Sequence, residues 1–272
     1  MNLISVFSMQ RLTVPDIVQM KKKEKIVMVA TYDYLTATLV EEAGAEIILV
    51  GDSVANVMLG YESTLPVTME EMLHHTKAVA RAARRCLVVG DMPFLSYQAS
   101  EAEAIRNAGR FLKEGGAQAV KLEGGREVAG KVRAIVEQGI PVMGHLGLTP
   151  QKVHQLGGYR VVGREEEVAE RLLEEARELE RAGIFSLVLE CVPWRLAKRL
   201  TEELHVPTIG IGAGPHCDGQ VLVLHDLVGL TPRLPKFVKK YANLREEVLR
   251  CLKEFREDVK EGRFPTLEQS YE

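Results

Sequence analysis

A chain of 272 residues that is 46% hydrophobic can bury one large core or two small ones, because folding at this length removes roughly three quarters of the unfolded surface from water. Lys and Arg number 35 against 38 Asp and Glu, a formal net charge of -3, which supplies no field to draw in nucleic acid or an anionic membrane and points to a small-molecule partner. The four cysteines, Cys86, Cys191, Cys217 and Cys251, form no Cys-x-x-Cys pair, so neither a disulfide framework nor a zinc site is indicated.

Met1 to Met9 are mildly apolar but lack a basic leader and a small-residue cleavage site, and no later apolar run reaches the roughly 18 residues of a membrane span. The expectation is a soluble, cytoplasmic chain in which Met1 to Ser8 are an upstream-start extension or a frayed tail. Thr13-Val14-Pro15-Asp16 reads as the start of a helix running to about Lys22, placed to plug the bottom of whatever follows.

From residue 26 onward, short β-branched apolar runs recur at Ile26–Ala30, Glu46–Val50, Cys86–Gly90, Ala119–Leu122, Pro141–Gly144, Ser186–Leu189, Thr208–Ile211 and Val221–Leu224. Most are apolar at nearly every position, the pattern of a parallel strand covered on both faces. Between them, Met69–Ala83, Glu101–Lys113, Arg126–Gln138, Glu165–Ala182 and Trp194–Leu204 have helical periodicity, and strand then helix, repeated, means βαβ units. The glycines in Glu42-Ala43-Gly44-Ala45, Glu114-Gly115-Gly116-Ala117 and Arg181-Ala182-Gly183-Ile184 stand where left-handed caps end helices.

Eight such strands, with no dinucleotide-type glycine fingerprint after the first, predict an α/β fold of the (β/α)8 TIM barrel kind. The chain reads as one domain over 1–272, the barrel proper at about 25–240, with an N-terminal helix and a C-terminal helical extension over Asn243–Glu261. Two irregularities remain: only about ten residues separate the last two strands, too few for a helix, and 146–164 form a long connection that reads as a lid.

In such a barrel the chemistry gathers at the C-terminal strand ends. There stand Gly51-Asp52-Ser53, Gly90-Asp91, Lys121-Leu122-Glu123, Gly144-His145 and Leu189-Glu190-Cys191. A strand-end aspartate can simply cap the next helix. Four carboxylates in one mouth, however, repel one another unless a cation or shared protons compensate, and all-oxygen ligation suits Mg2+. Lys121 and Glu123, two apart, share a face, as a structural salt bridge or with the lysine on a substrate carboxylate or enolate oxygen. His145 is either a satisfied strand-end histidine or, between Gly144 and Gly147, a residue open to a ligand. The other histidines lack such support, apart from His225, which with Asp226 closes the last run. Gly210-Ile211-Gly212-Ala213-Gly214 falls where barrels often bind phosphate, a weak signal alone.

In combination, Val50-Gly51-Asp52-Ser53, Ser63-Thr64-Leu65-Pro66-Val67-Thr68, Lys121-Leu122-Glu123-Gly124-Gly125, Gly144-His145-Leu146-Gly147-Leu148-Thr149-Pro150-Gln151, Leu189-Glu190-Cys191-Val192-Pro193 and the 210–214 loop resemble the motifs of ketopantoate hydroxymethyltransferases, in order over about residues 12 to 240. The resemblance implies a barrel of the phosphoenolpyruvate/pyruvate type acting on 3-methyl-2-oxobutanoate with 5,10-methylenetetrahydrofolate and Mg2+ in pantothenate biosynthesis, as a homodecamer. It further implies a metal site of Asp52, Asp91 and Glu123, a 2-oxo acid held by Ser53 and Lys121 among its neighbours Asp52, Asp91 and His145, and Glu190 as catalytic base. Metal-bound Asp52 and Asp91 would be held ionised, while Glu190, at an apolar strand end, would accept a proton near neutrality.

Two rival readings stand beside this one. A Mg2+-dependent carbon-carbon lyase or mutase would need a reactive cysteine, for which Cys191 is the nearest candidate, or an arginine cluster, of which the sequence gives no clear sign. A non-catalytic barrel would bind its ligand without a divalent ion.

Overall fold

The computed structural model describes residues 11–272; the segment Met1 to Ser8, expected to be an extension or a tail, lies outside the described residues. Thr13 caps α1 (Val14–Met20) in a reciprocal pair with Asp16, and the helix buries Ile17. That side chain joins Ile26, Met28, Ile47, Leu87 and Ile209 in one apolar cluster, so α1 closes the N-terminal end of the barrel as expected.

The apolar runs become β1 (Ile26–Ala30), β2 (Ile47–Val50), β3 (Leu87–Asp91), β4 (Ala119–Lys121), β5 (Val142–Gly147), β6 (Ser186–Glu190), β7 (Thr208–Ile211) and β8 (Gly219–Val223). They close into a barrel in sequence order, every pairing parallel and β8 returning to β1. β2 and β3 are buried at every position, which is why their sequences do not alternate.

The connections carry α2 (Tyr34–Glu42), α3 (Val54–Val57), α4 (Met69–Ala82), α5 (Glu101–Lys113), α6 (Arg126–Glu137), α7 (Val153–Leu156), α8 (Glu166–Ala182) and α9 (Trp194–Glu203). Asp33, Thr68 and Ser100 cap α2, α4 and α5 through their side chains, each accepting from an otherwise unpaired amide. Gly44, Gly116 and Gly183 are left-handed, as expected. No helix joins β7 to β8, and the long connection after β5 holds a 3-10 turn, Pro150–Lys152, followed by α7.

The chain forms two compact units, one ending at Val223 and the other comprising Leu224–Glu272. The second contains α10 (Leu224–Leu227), with His225 and Asp226, and α11 (Leu244–Lys260). Within it the Tyr241 amide donates to the Leu227 carbonyl at 2.9 Å, and Phe255 meets Phe264 edge-on, with ring centroids 5.4 Å apart. Among the described residues no helix is long and apolar enough to cross a membrane.

Candidate active site

Alternation along a strand builds the site directly on the core. Leu87 and Val89 of β3, Ala119 of β4, Met143 of β5 and Val188 of β6 belong to the buried interior cluster. Two residues further along the same faces come Asp91, Lys121, His145 and Glu190, and two beyond Lys121 comes Glu123. The period that makes the barrel floor apolar therefore delivers a polar layer on top of it. Register decides which groups meet: Asp91 is the strand partner of Lys121, and Gly147 that of Glu190. β5 runs past Gly144, where the sequence suggested an end, because the ladder with β6 continues through His145 to Gly147; backbone pairing, not side-chain polarity, ends the strand.

Lys121 is the hub. Its Nζ lies 2.8 Å from Asp91 Oδ1, 4.0 Å from Glu123 Oε1 and 3.2 Å from His145 Nδ1. Because an ammonium only donates, His145 Nδ1 is the acceptor and the ring proton sits on Nε2. That nitrogen is 3.2 Å from Glu190 Oε2, without the alignment of a hydrogen bond. Asp52 enters from the turn after β2, where its own amide donates to Asp91 Oδ2 at 3.1 Å. Ser53 follows, its hydroxyl 2.8 Å from that of Tyr32. Gly147 adopts φ +97°, and a Cβ there would stand 2.2 Å from the Glu190 carbonyl, so this residue lets β5 approach the end of β6.

Burial dominates the electrostatics. It pushes the Asp91 carboxyl up to about 7, with Asp52 adding to the rise and Lys121 opposing it. Glu123 is raised well above the carboxylate range, first by burial and then by Asp52. Burial also disfavours charge on Lys121, but Asp91, Glu123 and Asp52 outweigh it and keep the ammonium protonated. His145 is lowered by burial and by Lys121, against Glu190. The expectation of an ionised Asp91 concerns the metal-bound carboxylate; Lys121 by itself does not offset the hydration that burial removes.

The reading also left out two residues that organise the layer. Gln151 is 4% exposed; its Nε2 donates to Asp52 Oδ2 at 3.0 Å and to the Met92 carbonyl at 2.9 Å, and its amide donates to Glu123 Oε2 at 3.1 Å. The Tyr97 hydroxyl donates to Gln151 Oε1 at 2.7 Å and accepts from the Glu123 amide at 3.2 Å. Both come from loops, so strand-end position did not single them out. Tyr159, from the long connection, has its phenol raised by partial burial and by Asp52, Glu190 and Glu123.

Among the described residues no three His, Cys, Asp or Glu side chains are grouped closely enough to form a ready-made metal cage. Mg2+ does not require one, since it takes one or two carboxylates and fills its remaining positions with water and substrate oxygens. The buried carboxylate oxygen Glu123 Oε1 has no hydrogen-bond donor, the Lys121 ammonium being 4.0 Å away, and Asp91 Oδ1 has that ammonium alone, at 2.8 Å. An orphan such as Glu123 Oε1 costs roughly 1–3 kcal/mol or more when charged, a cost that a hard cation offsets, so the donor set fits one. The loop 210–214 has a structural use: Gly214 packs its bare α-carbon against Trp194.

A closed parallel barrel with a buried acid, lysine and histidine layer at its C-terminal mouth defines the chain as a TIM-barrel enzyme. The sequence model of ketopantoate hydroxymethyltransferase matches residues 11–267, and the chain belongs to that family. It is 59% identical to the 3-methyl-2-oxobutanoate hydroxymethyltransferase of Moorella thermoacetica over 96% of this chain and 98% of the relative. The enzyme of the same name from Carboxydothermus hydrogenoformans is 57% identical over 97% and 96%. A solved 2,3-dimethylmalate lyase, a member of the PEP mutase/isocitrate lyase superfamily, shares the fold with a TM-score of 0.61 at 16% identity, covering 95% of this chain and 91% of that one. The chain is thus a transferase on a closed parallel (β/α)8 barrel.

Proposed function

We propose that the chain transfers a hydroxymethyl group from 5,10-methylenetetrahydrofolate to 3-methyl-2-oxobutanoate, giving 2-dehydropantoate for pantothenate synthesis, in the cytoplasm and as a homodecamer. Asp52 and Asp91, with Glu123 behind them, would hold Mg2+, which when bound supplies a Lewis acid that eases charge build-up on the 2-oxo group. Ser53 and Lys121 bind the 2-oxo acid beside Asp52, Asp91 and His145, the lysine facing the oxygen on which enolate charge develops. Glu190 takes the C3 proton, and C3 bonds to the one-carbon unit as that carbon's two bonds to folate nitrogens are replaced by the bond to C3 and a hydroxyl from water, releasing tetrahydrofolate.

The observation that carries this reading is the contrast among the acids. Glu190 has 16% of its side chain exposed, against 2% for Asp91 and 1% for Glu123. It stands at the rim beside His145 and outside the Lys121–Asp91 pair, where it can meet substrate carbon. The lyase or mutase reading gains nothing from Cys191, because burial and Glu190 push that thiol up to about 11 and leave no thiolate at neutral pH.

Proton exchange at C3 in deuterated water, followed by NMR, tests the proposal. Wild type should exchange only with Mg2+ and form product when the folate is added. Glu190→Gln should bind the 2-oxo acid within a few-fold of wild type and exchange about 10²–10⁴-fold more slowly. Normal exchange in that variant would move the base to another residue, and exchange without a divalent ion would remove the metal.

The homo-oligomer is supported by α11. Val248, Leu252, Phe255 and Val259 recur at helical spacing and are 42%, 59%, 54% and 47% exposed, an apolar stripe that a further chain would cover.

A further inference from the structure

A cleft of ≈ 410 Å³ lies beside the polar layer; Gly124 and Gly125, which follow Glu123, line it together with Leu146 and Gly147, which follow His145. Its outer wall is the β5–α8 connection and the start of α8, with Leu156, Arg160, Val162 and Arg171. The same four residues bound a second cleft of ≈ 590 Å³, which continues to Val161, Arg164 and Val168. The two therefore form one groove, each part within the range of sites for small organic ligands.

The groove is electrically polarised. At its outer end three guanidiniums, Arg160, Arg164 and Arg171, face the single acid Glu165. Neither Arg160 nor Arg164 has an ion-pair partner among the described residues, and Arg171 has only Glu175, at 3.9 Å. By contrast Arg177 of α8 is paired with Glu203, and Arg199 of α9 with Glu166 and Glu170 at 3.4 and 2.7 Å. Toward the barrel, at the inner end, the first cleft is lined by Glu127 and Glu175 against Lys152. Unpaired guanidiniums on an apolar wall suit carboxylates, whereas the inner end repels them. A ligand with one neutral and one anionic end is thereby oriented.

We propose that this groove binds the one-carbon donor, with the ring system of the folate toward Glu190 and its glutamate carboxylates held by Arg160, Arg164 and Arg171. The proposal rests on the folate-dependent reading above and assigns the residues for it. The cluster is the arginine group that the sequence did not reveal, since Arg171 lies on a different element from Arg160 and Arg164.

Calorimetric titration of the full-length protein with tetrahydrofolate, beside the folate-independent C3 exchange assay, tests it. The double variant Arg160→Gln/Arg164→Gln should weaken tetrahydrofolate binding about fivefold per arginine, the worth of one charge contact in water at about 4 Å. It should also lose most of the salt dependence of that binding, while Arg160→Lys/Arg164→Lys stays within a few-fold of wild type. C3 exchange should proceed at the wild-type rate in both. Unchanged tetrahydrofolate affinity in the glutamine variant overturns the assignment, as does a fall in exchange with affinity intact, which would give the arginines to the 2-oxo acid. Wild-type protein that exchanges C3 protons yet binds no tetrahydrofolate would instead defeat the folate reading and this assignment together.

Discussion

Gln151 joins three parts of the site: its side chain ties Asp52 to the backbone after β3, and its amide holds one oxygen of Glu123. Removing its side chain frees Asp52 to rotate, while the backbone N–H that holds Glu123 remains. Residues that orient metal-binding carboxylates typically change metal affinity or activity by about 10–100-fold when lost. Gln151→Leu is therefore expected to raise the Mg2+ concentration for half-maximal C3 exchange by that factor, with a parallel loss in calorimetric Mg2+ affinity. Unchanged Mg2+ dependence would make Gln151 a packing residue only. Asp91, Lys121, Glu123, His145 and Glu190 were legible in the sequence because each sits at a strand end in phase with an apolar interior face. Gln151 and Tyr97 were not, because neither loop's path is encoded by a local period.

At the scale of elements, two buried polar contacts fasten helices to strands. Lys21, just past α1, pairs with Asp218, just before β8, at 2.7 Å, with side chains 7% and 6% exposed. Asp218 also accepts from the Thr208 amide at 2.9 Å. Breaking one side of such a pair strands a buried charge, so Lys21→Met should destabilise the protein by about 3–5 kcal/mol in urea denaturation, whereas Lys21→Met/Asp218→Asn should recover part of that loss. On α2, burial raises the Glu41 carboxyl, but the amides of Cys86 and Arg85 at the entry to β3 outweigh it and hold it below the usual range. A carboxyl depressed on folding stabilises the native state above its unfolded pKa, and that contribution is lost as pH falls through the folded value. The stability advantage of wild type over Glu41→Gln should thus be full at pH 7 and shrink below about pH 4.3, the unperturbed glutamate value; an advantage independent of pH would show that the charge is irrelevant. Neither contact was legible in the sequence: Lys21 and Asp218 are 197 positions apart, and nothing local links Glu41 to residue 85.

For the whole molecule, the formal charge of -3 does little to keep copies apart, and the apolar stripe on α11 favours bringing them together. Sedimentation velocity should find an oligomer, and Leu252→Glu/Phe255→Glu should shift it to smaller species without altering the far-ultraviolet dichroism; an unchanged distribution would assign assembly to another surface. The sequence by itself determined the barrel and the chemistry of its mouth, because strand and helix periods are local, and alternation carries the apolar floor directly into the polar layer. Only the tertiary structure decided which groups touch: the register that sets Lys121 against Asp91, the loops that bring in Gln151 and Tyr97, and the groove that unites Arg160, Arg164 and Arg171. Those contacts join residues far apart in the chain, and their geometry exists only once the sheet has closed.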